Sequence, residues 1–380
     1  MKDKVDLIYF DFVGTFGGAQ QSTSTLINYL NINYSNIKCK VYIVPNTNED
    51  FLASISTIDK ENINIPFLKN FNIFNIKRNF ILAFLYILIC SILIIFKKNN
   101  NAVFLCNTPK ALLLLSIVKF FKAIEINYYC RGWGNPKSFN FITKILLKKN
   151  VKKIYCVSNN TKNNLATFIN IKKLYVTYTS VNLDYLTSIS QESNNFNQLN
   201  FSSRYIKILF AGAIIETKGL HTLLESLILM NTNEREGFKI FIAGKINKNS
   251  SYYKYCNNLI VNNQLDVYWL GWVKEIPSLI RKIDIICLPS YTEGMPRIIQ
   301  EGMVLEKICV TTPVGGIPDL IINNETGYLF KINDSKNLKN ILLNIDINNK
   351  NIVKNAKKLV YSKFNLKVQA SLFVRCLLDN

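Results

Sequence analysis

The sequence contains a single histidine, His221, among its 380 residues, and none of its nine cysteines form a Cys-x-x-Cys pair. A histidine-rich metal centre is therefore excluded, and a serine-histidine-aspartate triad would have to use His221. Most of the cysteines lie in apolar runs, where a reduced thiol behaves as a small hydrophobic side chain. The cysteine pattern therefore fits a reducing compartment.

Acidic residues are scarce, because 25 Asp and Glu stand against 46 Lys and Arg and leave a net charge of +21. A charge of this size attracts phosphates and anionic surfaces, but lysine is spread along the whole chain and marks no single patch. No aromatic-basic motif of the known kinds accompanies the charge, so we expect no nucleic-acid partner. The N-terminus lacks the regions of a signal peptide, and we expect a cytoplasmic protein.

Long apolar runs are also rare, and the main one covers residues 80–96 between Lys77-Arg78 and Lys97-Lys98. Its length only just reaches that of a membrane span. A span here would separate residues 1–79 from the rest of the predicted first sheet, so we exclude it. Two interpretations stay open for this helix and for the similarly apolar residues 111–122. Each is either a buried core helix or a helix with one face seated in a membrane interface.

Short apolar runs alternate with longer helical patterns in both halves, which predicts an α/β fold with parallel sheets. A polar stretch without periodicity, residues 187–204, indicates a domain boundary. We predict one domain over residues 1–195, a second over 196–362 and a closing helix over 363–380 that packs back towards the first domain. The strand candidates are residues 5–12, 39–44, 101–106, 125–130, 152–158, 205–212, 238–244, 266–272, 283–289 and 307–312.

The stretch YTEGMPRIIQEG, residues 291–302, holds Glu293 and Glu301 on either side of a turn. Pro296 suits the first position of a helix, whose free amides would then bind phosphate oxygens. A carboxylate accepts two hydrogen bonds side by side and so suits a pair of neighbouring hydroxyls. A nucleotide-sugar has such pairs at both ends of its diphosphate. The alternative is two solvated glutamates near a helix start.

Residues 293–301 resemble the E-x7-E signature of the retaining glycosyltransferases of family 4. Residues 309–330 resemble the Gly-Gly loop and Thr-Gly turn of that family, and residues 210–227 resemble the first strand, turn and helix of its nucleotide-binding domain. Residues 16–30 are similar to its N-terminal loop and helix. The resemblance implies the GT-B architecture, in which two Rossmann-like doubly wound domains face a cleft. The first domain would be the acceptor side, and the second would bind the nucleotide-sugar.

The resemblance also implies individual roles. Glu301 would hold the ribose hydroxyls and Glu293 the transferred sugar, while Lys218 would neutralise the leaving phosphate. Glycines in the loop of the first domain would allow a close approach to that phosphate. The implied catalytic residues are Glu293, Lys218 and Arg131. The implied donor-binding residues are Gly17, Gly18, Lys218, Glu293, Gly294, Met295, Arg297, Ile298 and Glu301, with the amides of residues 294 to 298, except Pro296, lining the sugar and diphosphate.

Two positions depart from the family pattern. Ala213 stands where the family usually carries an arginine, and Arg131 stands where it commonly carries a histidine. Arg131 either supplies the missing diphosphate cation or contacts an acidic acceptor, and both roles stay open. The Asp-x-Asp pattern of metal-dependent glycosyltransferases is absent. We therefore expect no metal and no cofactor, with fixed cations and amides stabilising the leaving nucleoside diphosphate.

The resemblance, the apolar helices and the basic charge together predict a hexosyl or related glycosyltransferase of surface polysaccharide biosynthesis, of the O-antigen, capsule or lipopolysaccharide type. The acceptor would be a glycan or a lipid-linked glycan. The enzyme would work as a peripheral protein on the anionic cytoplasmic face of the cell membrane. One alternative is another GT-B enzyme, such as a sugar-nucleotide epimerase that needs no acceptor. The other is a degenerate, membrane-associated nucleotide-binding protein.

Overall fold

A computed structural model describes residues 4–14, 17–45, 47–63, 80–97, 102–132, 137, 139–188, 202 and 204–379. The chain divides into two compact units, Met1–Tyr178 with Ala370–Asn380, and Thr179–Gln369. The predicted boundary after residue 195 and most of the predicted linker lie outside the described residues.

The first unit is built on a parallel sheet that has seven strands in the described ranges, in the order β3-β2-β1-β4-β5-β6-β7. Its central strands are buried along most of their length, as in parallel sheets that helices cover on both faces. The strands are β1 (Val5–Phe10), β2 (Ile37–Ile43), β3 (Asp59–Asn62), β4 (Ala102–Cys106), β5 (Glu125–Cys130), β6 (Val151–Cys156) and β7 (Leu174–Val176). The helices are α1 (Gly18–Asn33), α2 (Glu49–Ser54), α3 (Phe80–Ile95), α4 (Pro109–Phe121), α5 (Phe141–Lys149) and α6 (Asn159–Ala166).

The second unit holds a parallel sheet with six described strands in the order β10-β9-β8-β11-β12-β13. The strands are β8 (Ile206–Ala211), β9 (Phe238–Ala243), β10 (Val267–Gly271), β11 (Ile285–Leu288), β12 (Ile308–Thr311) and β13 (Tyr328–Leu329). The helices are α7 (Leu183–Ser188), α8 (Leu220–Ile228), α9 (Thr232–Arg235), α10 (Ser251–Asn262), α11 (Ile276–Arg281), α12 (Arg297–Val304), α13 (Ile317–Leu320), α14 (Ser335–Asn344), α15 (Lys350–Lys363) and α16 (Leu366–Leu378), the last of which continues into the first unit.

Both sheets are doubly wound, so the predicted α/β class with two Rossmann-like domains is confirmed. In each sheet the strand order reverses once, between β1 and β4 in the first unit and between β8 and β11 in the second. Loops that leave the carboxyl ends of the two strands at such a reversal diverge and create a crevice where ligands bind.

The two apolar helices of the first unit are buried on one side and expose apolar side chains elsewhere. On α3 the buried face includes Tyr86, Cys90 and Ile94, while Leu85 and Ile92 lie exposed on the opposite face. On α4 the apolar residues are buried or partly buried until the helix ends, where two phenylalanines are exposed. None of the helices in the described ranges is long and apolar enough to cross a bilayer.

Candidate active site

The candidate site of the second unit lies where its strand order reverses. The chain leaves β8 into a short 3-10 turn, Glu216–Lys218, and it leaves β11 into a loop that begins at Pro289. Gly219 has a φ of +69°, and a Cβ there would lie only 2.0 Å from the carbonyl oxygen of Pro289. The amide of Tyr291 donates to the carbonyl of Thr217 at 2.8 Å. Close backbone packing therefore fixes the two loops against each other.

This packing brings Lys218 to Glu293. The Nζ of Lys218 donates to Oε1 of Glu293 at 2.7 Å, and the hydroxyl of Ser290 donates to the same oxygen at 2.7 Å. Glu293 is 8% exposed, and its Oε2 has no hydrogen-bond partner in the described part of the chain. The carboxylate is thus oriented through one oxygen, which leaves the other available to accept hydroxyl groups.

The loop after β12 holds the backbone of Glu293 in place. The amide of Gly316 donates to the carbonyl of Gly294 at 2.7 Å. Gly315 has a φ of +57°, and a Cβ on it would lie 1.8 Å from the carbonyl oxygen of Glu293. The Gly-Gly pair that the sequence resemblance pointed to therefore packs directly against the loop that carries Glu293.

Helix α12 begins at Arg297, with Pro296 as its N-cap at φ −75° and ψ 115°. The prediction that Pro296 is the first helical residue is therefore wrong by one position. Sequence reasoning does not separate the two positions, because both accept the fixed φ of proline and neither needs its N–H. The first amides of the helix, at Arg297, Ile298 and Ile299, lack partners within the helix and are suited to an anion.

Glu301 lies one turn further along α12. The Nη2 of Arg297 donates to Oε1 of Glu301 at 3.1 Å. Glu301 is 8% exposed, and burial raises the pKa of its carboxyl while Arg297 opposes the rise. The neighbouring Gln300 donates from Nε2 to the carbonyl of Thr179 at 2.6 Å, which anchors this turn of the helix.

The single histidine has a supporting position. His221 is a buried residue of α8, as expected for a structural role. Its Nδ1 lies 2.9 Å from the hydroxyl of Tyr252, and its Nε2 lies 2.8 Å from the hydroxyl of Tyr291. Since both ring nitrogens are engaged by tyrosines, the imidazole connects α8 and α10 to the loop that carries Glu293.

The remaining predicted site residues belong to the first unit. Gly17 is the N-cap of α1, Gly18 is its first residue, and a Cβ on Gly18 would meet no described atom within 4 Å. Arg131 follows β5, with its Cζ 3.8 Å from the ring centroid of Tyr129, a cation-π contact. The second unit thus brings Lys218 and Glu293 together. The roles of Gly17, Gly18 and Arg131 stay predictions.

No group of three or more His, Cys, Asp or Glu side chains in the described ranges is arranged to hold a metal ion. The nine cysteines are all free. That the activity needs neither metal nor cofactor stays a prediction.

Three features of the site were not predicted from the sequence. Ser290 carries no motif, and only the fold brings its hydroxyl to Glu293. The contact of Gly315 with Glu293 likewise joins two distant segments. The contact between Arg297 and Glu301 could have been predicted from the sequence, because the two residues are four positions apart and such pairs are neighbours on a helix.

The comparison with protein families decides the class of this unit. Residues 191–359 match the family model "Glycosyl transferases group 1". This segment is therefore similar to the glycosyl transferases of group 1. The predicted resemblance to glycosyltransferases is confirmed for this segment, which covers the site described above.

Several curated proteins that are similar to this chain are glycosyltransferases. An uncharacterized glycosyltransferase of Methanocaldococcus jannaschii is 32% identical over 54% of this chain and 52% of its own. A Staphylococcus aureus glycosyltransferase of capsular polysaccharide biosynthesis is 23% identical over 73% of this chain and 76% of its own. An alpha-1,4-N-acetyl-D-galactosaminyltransferase of Campylobacter jejuni, named for an undecaprenol-linked substrate, is 28% identical over 43% of this chain and 46% of its own. The alignments with the first and third of these therefore span only about half of each relative.

Solved structures confirm the predicted GT-B fold. HepE of Anabaena in complex with UDP superposes with a TM-score of 0.80 at 19% identity, over 98% of this chain and 99% of that one. A Rickettsia africae glycosyltransferase superposes with a TM-score of 0.80 at 21% identity, over 98% of this chain and 97% of that one.

Proposed function

We propose that this protein transfers a sugar from a UDP-sugar to a glycan carried on a lipid, with retention of the anomeric configuration, in the biosynthesis of a surface polysaccharide. The observation that carries the proposal is the Lys218–Glu293 pair at the strand-order reversal, with Glu301 and the free amides of α12 beside it. UDP is the nucleotide bound in HepE, and the Campylobacter relative is named for an undecaprenol-linked substrate, which supports both ends of the reaction.

The chemistry follows from charge. When the bond between the sugar and the diphosphate breaks, negative charge grows on the leaving UDP. Lys218 and the N-terminus of α12 are fixed positive groups at the site, and they stabilise that charge without reorganisation. Glu293 accepts hydroxyls of the donor sugar at Oε2, and Glu301 accepts the ribose hydroxyls at its second oxygen. We assign Glu293 to binding and electrostatic stabilisation.

The first test is calorimetric binding of UDP, GDP and ADP to the whole chain, followed by turnover of UDP-sugars with and without an undecaprenol-linked acceptor. We expect UDP to bind, and Glu301→Gln and Lys218→Met to weaken its binding by about tenfold or more. The exposed Glu325→Gln and Lys336→Met serve as matched controls. Transfer that depends on acceptor supports the proposal, whereas donor epimerisation without acceptor favours the epimerase alternative. Binding without turnover of any donor favours the degenerate protein.

We further propose that the protein works on an anionic membrane through one face of its first unit. The Nζ of Lys122 donates to the carbonyl of Ile95 at 3.4 Å, which ties the end of α4 to the end of α3. Three phenylalanines are exposed at these two helix ends: Phe96 at 85%, Phe120 at 84% and Phe121 at 67%. Exposed aromatic side chains beside lysines favour the interface of an anionic leaflet.

Flotation with liposomes tests this membrane face. We expect the wild-type chain to float at low salt with vesicles that contain phosphatidylglycerol, and to float less with neutral vesicles. The triple variant Phe96→Ser, Phe120→Ser and Phe121→Ser should lose most of the bound fraction. Phe141→Ser, at a phenylalanine that is 78% exposed on α5, is the matched control. An absence of flotation at low salt would remove the membrane from the proposal and leave the transferase intact.

A further inference from the structure

Arg297 is a largely buried cation with hydrogen-bond donors that lack acceptors. Its side chain is 14% exposed, and in the described part of the chain its guanidinium donates one hydrogen bond, from Nη2 to Glu301. Its Nε and Nη1 are buried, and neither has a hydrogen-bond partner in the part of the chain that the structure describes. Burying charged N–H groups without acceptors is unfavourable, because their hydration is lost and nothing replaces it.

A purely structural ion pair does not account for this arrangement. A guanidinium that serves only to hold a carboxylate does so best with two parallel hydrogen bonds. Here the pair has a single bond of 3.1 Å, and burial still raises the pKa of Glu301. The free N–H groups of Arg297 therefore belong to the residue that opens α12, and the backbone amides of that first turn also lack acceptors.

The two loops at this site lack two groups that would bind a diphosphate. Pro296 has no amide, so the turn between Met295 and Arg297 offers one N–H fewer than other residues would give. Ala213, which follows β8, carries no charge at the position where the resemblance leads us to expect an arginine. Lys218 is then the cation that the structure places at Glu293.

We propose that the side chain of Arg297 is the second cation of the diphosphate site and replaces the one that Ala213 cannot supply. This inference rests on the proposed function. Nε and Nη1 bind phosphate oxygens of the donor, while Glu301, held through Oε1, keeps its second oxygen for ribose. Lys218 and Arg297 each pair with a glutamate, so both cations stay close to where the diphosphate would bind.

The test compares the affinity for UDP with the affinity for uridine, which shares the base and ribose but has no phosphate. We expect Arg297→Met to weaken UDP binding by about 10- to 100-fold and to change uridine binding by less than about threefold. A structural role, including disturbance of Glu301, would weaken both ligands alike, because each carries the ribose. The ratio of the two affinities therefore separates the roles.

A second variant makes the test independent of local damage. Ala213 is exposed, so Ala213→Arg fits at the surface, and in the Arg297→Met background it should restore most of the lost UDP affinity. Arg235→Met, on α9, is the matched control and should leave both affinities unchanged. An unchanged ratio of UDP to uridine affinity in Arg297→Met overturns the inference and leaves the donor site standing. Failure of the wild-type chain to bind any nucleotide overturns both.

Discussion

A Cβ on Gly315 would lie 1.8 Å from the carbonyl oxygen of Glu293, so the loop after β12 passes directly against the backbone of a predicted catalytic residue. The amide of Gly316 donates to the carbonyl of the next residue, Gly294, at 2.7 Å. The position of the Glu293 carboxylate therefore depends on a residue without a side chain in a different loop.

Gly315→Ala should destabilise the second unit by at least about 2 kcal/mol, because the methyl group overlaps a carbonyl and the φ of +57° is strained for alanine. The measurement is the midpoint of denaturant unfolding. Gly212→Ala is the matched control, because a Cβ at Gly212 would meet no described atom within 4 Å. Equal stability of the two variants would contradict the contact with Glu293.

Gly18→Ala separates folding from function in the first unit. Gly18 opens α1 with free space around it, and alanine is the better helix former by about 1 kcal/mol. We therefore expect the thermal midpoint to stay constant or rise, while turnover of the donor falls about tenfold or more if the loop must approach the diphosphate closely. Full turnover in a stable variant would show that Gly18 has no contact with the donor.

Asp11 should make the stability of the first unit depend on pH. Its Oδ1 accepts from the amide of Phe12 at 2.9 Å and from the hydroxyl of Thr108, its Oδ2 accepts from the hydroxyl of Tyr9 at 3.2 Å, and burial raises its pKa from 3.8 to about 7. Between these two values the unfolded carboxyl is ionised and the folded one is protonated. Stability therefore falls as the pH rises from about 4 to about 7, by up to about 1.4 kcal/mol per unit, and then levels off.

The measurement is the unfolding midpoint of the wild type and of Asp11→Asn from pH 4.5 to pH 8. We expect the difference between the two proteins to shift in favour of the variant as the pH rises. Asp6→Asn, at a partly buried aspartate of β1, the strand that precedes Asp11, is the control for the loss of a carboxylate in this part of the sheet. A difference that stays constant across this range would mean that Asp11 is ionised throughout.

Phe373→Ala should destabilise the first unit, although only seven residues follow it in the sequence. Phe373 is fully buried, with its ring centroid 4.4 Å from that of Tyr155. Deleting a buried phenylalanine costs about 3–5 kcal/mol. Leu372→Ala, at a neighbouring residue that is 38% exposed, should cost less than about 1 kcal/mol by comparison. Similar losses in both variants would argue against specific packing of Phe373.

Ten of the described strands were predictable because each is an apolar run bounded by polar residues. The three that were missed, β3, β7 and β13, form edges of the two sheets. β3 has the sequence DKEN, and β13 has only two residues, so neither presents an apolar run. Their pairing depends on the neighbouring strand, which no local pattern records.

The residues of the donor site were predictable from motifs, but their partners were not. Glu293 and Lys218 are 75 positions apart, and their pairing requires the strand order of the sheet. The helix α3 shows the same limit, since its composition is apolar all round and only packing decides which face is buried. The sequence also did not indicate which residue could replace the arginine expected at position 213. The proposed replacement, Arg297, is identified by its buried N–H groups, which only the structure shows.

Residues 370–380 complete the first unit after the whole of the second has been made, so the order of synthesis differs from the order of assembly. The Nζ of Lys153 donates to the carbonyl of Cys376 at 2.7 Å, and the ring of Tyr155 packs against that of Phe373. Neither contact can form until the last residues of the first unit have been synthesised. While the ribosome translates the intervening residues, the sheet of the first unit keeps an uncovered aromatic surface. A stop codon just before residue 370 would therefore damage the half of the protein that was translated first.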